Sequence, residues 1–215
     1  MQPFNDPSFV TSYAETAPKK VPGYADLHRM TAVLLAEHAR PVSEILVVGA
    51  GGGLEIKAFA EAQPGWHFLG VDPSAEMLDL ARRILGPLAP RADLRQGTID
   101  AAPDGPFDGA TCLLTLHFLK RDERLQTLKE IHRRLKPGAA LVVAHHSAAE
   151  GAAPSQWLAR SQAFGGSDRD TAATMARSLP LLTTQEEEAV LREAGFSNIA
   201  LFYAGFSLRG WVAEA

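Results

Sequence analysis

After an apolar run, Ile45-Leu46-Val47-Val48, the chain reads Gly49-Ala50-Gly51-Gly52-Gly53. Only backbone without side chains turns that tightly and still lets a ligand approach to van der Waals distance. The helix that must follow points free backbone N–H groups at whatever lies there. A glycine turn is also an ordinary way to join a strand to a helix, so the loop needs a partner before it implies chemistry. Asp72 provides one: it ends the next apolar run about 20 residues further on, where a carboxylate can accept hydrogen bonds from both ribose hydroxyls of an adenosine ligand.

Other chemistries find less support. A dinucleotide fingerprint needs glycine at the sixth position counted from Gly49, and Leu54 stands there, so the pattern is G-x-G-x-G. No serine sits in G-x-S-x-G, and neither H-E-x-x-H nor a P-loop lysine motif occurs. What fits is a reaction that asks the protein mainly for orientation and exclusion of water. If a proton must leave the acceptor, His117, His145 and His146 are the candidate bases, because they follow the fourth and fifth predicted strands at the carboxyl edge where such sheets bind ligands.

Alternating helical and aliphatic segments are expected to position these residues. Leu27, Met30, Leu34 and Leu35 recur at helical spacing and predict a helix over 25–39, followed by a strand at 44–48 and a helix at 54–62. A strand at 66–71 leads through Pro73 and Ser74, natural cap residues, into a helix ending at Leu85. Strands follow at 93–96 and 109–114, then a helix over 121–135 stopped by Pro137-Gly138, and a strand at 140–144. The pattern loosens into irregular helical pieces over 147–180. Thr184 and Glu187 then form a capping box opening a helix to Ala194, and strands at 199–206 and 208–213 close the pattern. The expected fold is α/β: a Rossmann-like three-layer sandwich whose seven-stranded sheet is mostly parallel, with an antiparallel C-terminal strand.

With 215 residues, 46% of them hydrophobic, one domain is expected over 25–215. Residues 1–24 read as an extension covering the cofactor site and 154–180 as a segment covering substrate, where Trp157 and Phe164 either close over an acceptor or pack into the core. The net charge of -4 with scattered Lys and Arg argues against nucleic acid. Cys112, alone in an apolar stretch, makes no internal disulfide and reads as a small buried hydrophobe. The histidines lack the spacing of a metal site. With no signal-peptide pattern and no apolar run near the roughly 20 residues a membrane span needs, a soluble cytoplasmic protein acting on a small molecule is expected, and a homodimer stays open.

Five segments in chain order resemble the motifs of class I S-adenosylmethionine-dependent methyltransferases. Ile45 to Gly53 looks like the first motif and Asp72 like the acidic ribose position. Gly97-Thr98-Ile99-Asp100 is similar to the adenine segment, Phe107-Asp108-Gly109-Ala110 through Leu116-His117 to the fourth-strand motif, and Leu135-Lys136-Pro137-Gly138-Ala139 to the "LkPGG" signature. The resemblance implies S-adenosyl-L-methionine as cofactor, held at Gly49, Ala50, Gly51 and Gly53, at Asp72, Pro73 and Met77, and at Thr98, Ile99 and Leu113. Two positions depart from it. Val47 stands where many members carry an acid near the cofactor's amino group, and Thr98 replaces the usual aspartate, leaving the adenine to Asp100 or the Ile99 N–H.

Val21-Pro22-Gly23-Tyr24 and Thr115-Leu116-His117-Phe118-Leu119 are more narrowly similar to carboxy-S-adenosylmethionine synthase, and by that similarity Tyr24 reaches over the cofactor. Leu113 replaces that family's cofactor-contacting asparagine, and Arg177 is only the nearest candidate for its carboxylate-binding arginine. Methyl transfer to a small molecule therefore ranks first, the synthase second, and a non-catalytic S-adenosylmethionine-binding protein third.

Overall fold

Successive side chains of the first strand enter different cores. In β1 (Ser43–Val48), Ile45 and Val47 join one apolar cluster while Leu46 and Val48 join another. A strand apolar on both faces must be covered on both faces. The computed structural model describes residues 2–148, 154–167 and 169–215 and places β1 inside a seven-stranded sheet. Its other strands are β2 (Trp66–Asp72), β3 (Ala92–Gln96), β4 (Phe107–Leu113), β5 (Leu135–His146), β6 (Ser197–Gly205) and β7 (Leu208–Glu214), in the order β3-β2-β1-β4-β5-β7-β6. All neighbouring pairs are parallel except those of β7, which is antiparallel to both β5 and β6.

On one face, α2 (Tyr24–Ala36), α3 (Leu54–Ala62) and α4 (Ala75–Leu85) bury Leu27, Leu35, Ile56, Phe59, Leu78 and Leu85. On the other, α5 (Arg121–Arg133) and α8 (Thr184–Glu193) bury Leu128, Ile131, Val190 and Leu191. The three-layer sandwich is as expected. Cys112 is a buried free thiol, and no helix among the described residues is long and apolar enough to cross a membrane.

Several expectations are corrected. The N-terminal extension, for which the sequence pattern assigned no element, forms α1 (Pro7–Lys20): Asp6 caps it by accepting from the Ser8 N–H at 2.8 Å, and Pro7 occupies the first turn, where no donor is needed. Helix α5 stops at Arg133 rather than 135, and β5 begins at Leu135, which pairs with Phe107, and runs on through Pro137-Gly138. The capping box of α8 lies one residue earlier, at Thr183 and Glu186, because Glu187 turns inward to an ion pair. The helical pieces expected over 147–180 are, among the described residues, α6 (Pro154–Phe164) and α7 (Arg169–Ser178).

Candidate functional site

The glycine loop leaves the sheet while still bonded to it. The N–H groups of Gly49 and Ala50 both donate to the Val71 carbonyl, at 2.9 and 3.0 Å, which holds the turn against β2. Asp72, at the end of β2, ties two turns together: one carboxylate oxygen accepts from Gly51 N at 2.9 Å and the other from Ser74 N at 2.9 Å. Ser74 in turn caps α4 through the Met77 N–H at 3.1 Å. Each carboxylate oxygen keeps a further lone pair for a ligand hydroxyl. Burial raises the Asp72 pKa, and the two backbone hydrogen bonds only partly counter it.

The glycines do different work. A Cβ on Gly53 would lie 2.8 Å from the Ala81 Cβ and 2.9 Å from its Cα, so this glycine lets α3 pack on α4. Gly51, at φ +49°, is the opposite case: a Cβ there would meet nothing closer than 3.6 Å, an ordinary contact distance, and Gly51 lines the space above the loop. That space is a cavity of about 210 Å³. At about 30 Å³ per liquid water it holds the volume of several waters, which suits an organic ligand better than a stray solvent molecule.

The floor of the cavity is residues 49–55 with Asp72, Pro73, Ser74 and Met77, and one wall is Leu113, Leu114, Thr115 and Phe118. Tyr24 and His28 come from α2, and Phe4, Asn5 and Tyr13 from the N-terminal segment. That segment is fastened at two places: Ser74 Oγ donates to the Phe4 carbonyl at 2.7 Å, and Tyr203 OH on β6 donates to the Pro22 carbonyl at 2.7 Å. Phe4 also meets the Phe118 ring edge-on, with centroids 5.7 Å apart.

Of the residues expected from the sequence, Tyr24, Gly49, Ala50, Gly51, Gly53, Asp72, Pro73, Met77 and Leu113 line this cavity together. Thr98 and Ile99 do not. Thr98 precedes a short 3-10 turn, Ile99–Ala101, and the Ile99 side chain packs into the core beneath. Neither His117 nor His145 reaches the wall, which corrects their reading as bases facing the site. His145 Nε2 lies 3.0 Å from Glu187 Oε1, and the Arg124 guanidinium bonds the same carboxylate oxygen, so this imidazole belongs to a buried ion cluster joining β5, α5 and α8. Burial alone would raise the Glu187 carboxyl, but His145 and Arg124 hold it below its ordinary value.

His117 is buried beside the wall residue Phe118, ring centroids 4.2 Å apart, and its Nδ1 has no hydrogen-bond partner among the described residues. Burial, reinforced by His146, His145 and Arg124, keeps it neutral. His146 bonds Ser207 Oγ at 2.7 Å. Arg177 is exposed on α7 and donates to Thr174 Oγ1. Trp157 stacks under Arg160 at 4.4 Å and Phe164 is half exposed against Phe206; neither aromatic lines the cavity.

Sequence reasoning missed Tyr13, His28 and Glu55. Glu55 is only 7% exposed, on the first turn of α3, and its Oε1 accepts from Thr111 Oγ1 at 2.7 Å. Burial pushes its carboxyl up to about 8. Thr111 is the cross-strand neighbour of Val47, so this carboxylate sits over the sheet beside Val47. Tyr13 and Tyr24 share the cavity lining, and burial raises both phenols, Tyr13 to about 12. Burial lowers His28 to about 4. Glu55 had one local signal: it is an acid between apolar residues, one position before Ile56 and four before Phe59, on the face that an α/β helix turns inward.

A family model described as a methyltransferase domain matches residues 45–138. The chain is 24% identical to a carboxy-S-adenosyl-L-methionine synthase of Chromohalobacter salexigens, over 97% of this chain and 82% of that protein. It is 30% identical to the synthase of Pseudomonas fluorescens over 65% of this chain and 60% of that one. Among solved structures, a candidate O-methyltransferase from Nostoc punctiforme superposes with a TM-score of 0.72 at 22% identity, covering 96% of this chain. Human N-acetylserotonin methyltransferase, solved with S-adenosylmethionine, gives 0.63 at 17% identity over 87% of the chain. The chain spans 60% of the Nostoc protein's length and 51% of the human one's.

Proposed function

Because residues 45–138 match a methyltransferase domain, we propose that this chain is a class I S-adenosylmethionine-dependent methyltransferase that binds S-adenosylmethionine in the cavity over residues 49–55 and transfers the methyl group to a small-molecule acceptor. The observation that carries this reading is Asp72 bridging the glycine loop to the cap of α4, with lone pairs left to grip a ribose. The residues present fit the cofactor. Gly51 leaves open the volume that a Cβ would fill, and the described wall has carboxylates but no Lys or Arg, which suits a ligand of net positive charge.

When bound, S-adenosylmethionine supplies an electrophilic methyl on a sulfonium, already reactive toward an oxygen, nitrogen or sulfur nucleophile. The chain's own contribution is placement. The glycine backbone brings the floor within contact distance, Asp72 holds the sugar, and Leu113, Leu114, Phe118 and Phe4 keep water from the reacting atoms. His28, neutral near pH 7, is the imidazole on the described wall and can take a hydrogen bond from an acceptor, but its lowered basicity makes it a poor general base. An acceptor that ionises readily, or whose proton leaves after transfer, matches such a wall.

A second reading, carboxy-S-adenosylmethionine synthesis, is favoured by the curated relatives that carry that name. Against it stands the cavity's charge: a carboxylated ligand needs a cation, and Arg177 lies on α7, exposed and bonded to Thr174. Calorimetry with S-adenosylmethionine and with NAD tests the binding, and product mass after incubation with candidate methyl acceptors or with carboxylate donors separates the two reactions. Equal binding of the cofactor by the native chain and by Asp72→Ala defeats the site assignment.

A further inference from the structure

Glu55 is a buried carboxylate that the reaction described above does not use. Its Oε1 is committed to Thr111, and no cation among the described residues shares its cavity. Every other polar group around it belongs to an uncharged side chain or to Asp72, whose oxygens are already bonded to the backbone of the two turns. A carboxylate desolvated without a counter-ion is costly unless it is neutralised or a cation arrives. From the Asp72 end of the cavity, the glycine loop leads directly to Glu55 on the first turn of α3.

We propose that Glu55 is the counter-ion for the ammonium group on the amino-acid tail of the bound nucleoside, and that the tail's arrival drives a proton off its carboxyl. The inference rests on the S-adenosylmethionine reading. An ammonium suits this corner better than a sulfonium does. It carries N–H donors, and the surroundings offer acceptors: the Glu55 oxygens and the hydroxyls of Tyr13 and Tyr24. A sulfonium has no hydrogen to donate.

Most groups facing Glu55 do not titrate near neutral pH. From α1, Tyr13 is pushed up to about 12, and from α2 Tyr24 is raised further while His28 is lowered to about 4. From β4, Thr111 does not ionise and burial raises the Cys112 thiol. Asp72 on β2, also raised, is the remaining carboxylate, and a Glu55 substitution separates the two. With the Glu55 carboxyl near 8, the free chain holds its proton at pH 6 to 7.

The test is calorimetry on the full chain with three ligands: S-adenosylmethionine, S-adenosylhomocysteine, and 5′-methylthioadenosine, which lacks the amino-acid tail. At pH 6.5, in two buffers of different ionisation heat, the first two should each release about one proton, and their affinity should rise nearly tenfold from pH 6 to 7. Methylthioadenosine should do neither. In Glu55→Gln, which keeps an acceptor for Thr111, the proton release and pH slope should vanish for the tailed ligands, with affinity down at least tenfold, while methylthioadenosine binds as to the native chain. Equal affinity and equal proton release in the variant overturn the Glu55 assignment and leave the cofactor reading standing. Failure of the native chain to bind any of the three defeats both. Loss of methylthioadenosine binding in a folded Glu55→Gln shows a structural role and also overturns the proposal.

Discussion

Gly51 and Gly53 are two residues apart, both in left-handed backbone, yet alanine should do different damage at each. At Gly51 the added methyl meets Met77, the Gly49 carbonyl and Tyr13 at 3.6 to 3.7 Å, ordinary contact distances. The fold then bears only the backbone strain of about 1–2 kcal/mol at positive φ, less about 0.4–1 kcal/mol from the stiffer unfolded chain. A net loss of about 1 kcal/mol lowers Tm by roughly 2–4 °C in a chain of this size. At Gly53 the same strain applies, and the methyl is also driven against the Ala81 backbone at 2.9 Å. Overpacking of about 1–3 kcal/mol adds to the strain, so Tm should fall by roughly 5–15 °C. Ligand affinity should show the reverse order. The Gly51 methyl occupies cavity volume, and a comparable overpacking cost weakens cofactor binding by about 5- to 150-fold. Gly53→Ala, assayed well below its Tm, should bind within a few-fold of the native chain. Differential scanning fluorimetry and calorimetry read both quantities. If Gly51→Ala unfolds as readily as Gly53→Ala, or binds the cofactor as the native chain does, the division of labour between the two glycines is wrong.

The buried cluster gives two further expectations. Arg124→Ala strands Glu187 and His145 and should cost about 3–5 kcal/mol, a Tm fall of roughly 6–20 °C, with cofactor affinity within a few-fold because the cluster lies off the cavity. Glu187 has a folded pKa below its ordinary 4.5, so its stabilisation is full above that pH and is lost as acid takes the solution down through the lower folded value. Thermal melts of Glu187→Gln should therefore lose part of the decline with acid that the native chain shows below about pH 4.5. Tyr203→Phe removes the hydrogen bond to the Pro22 carbonyl, which should cost about 0.5–1.5 kcal/mol and speed proteolysis between α1 and α2. An unchanged cleavage rate there would mean that the contact does not hold the N-terminal segment.

Much of the fold and part of the site could be read directly because their signals are local. The strand before Gly49, the turn, the helix from Leu54 to Ala62 and the acid ending β2 are each set by residues within a few positions of one another, and the structure has all of them where periodicity and turn chemistry put them. Element ends moved where a tertiary partner outweighed a local preference. Leu135 is drawn from the predicted helix into β5 by pairing with Phe107, and Glu187 leaves the predicted cap for Arg124.

What the chain's order of residues established by itself is the α/β class, the glycine cradle and the carboxylate beside it, since backbone sterics and hydrophobic period need no distant contact. Only the tertiary structure decided which side chains share the cradle. Glu55 meets Thr111 across 56 positions and Tyr203 fastens the segment at Pro22 across 181, while His145, near the expected catalytic edge, is claimed by Glu187. Such meetings depend on strand order and on which face each strand turns to which helix. These are properties of the packed sheet that no local window of residues contains.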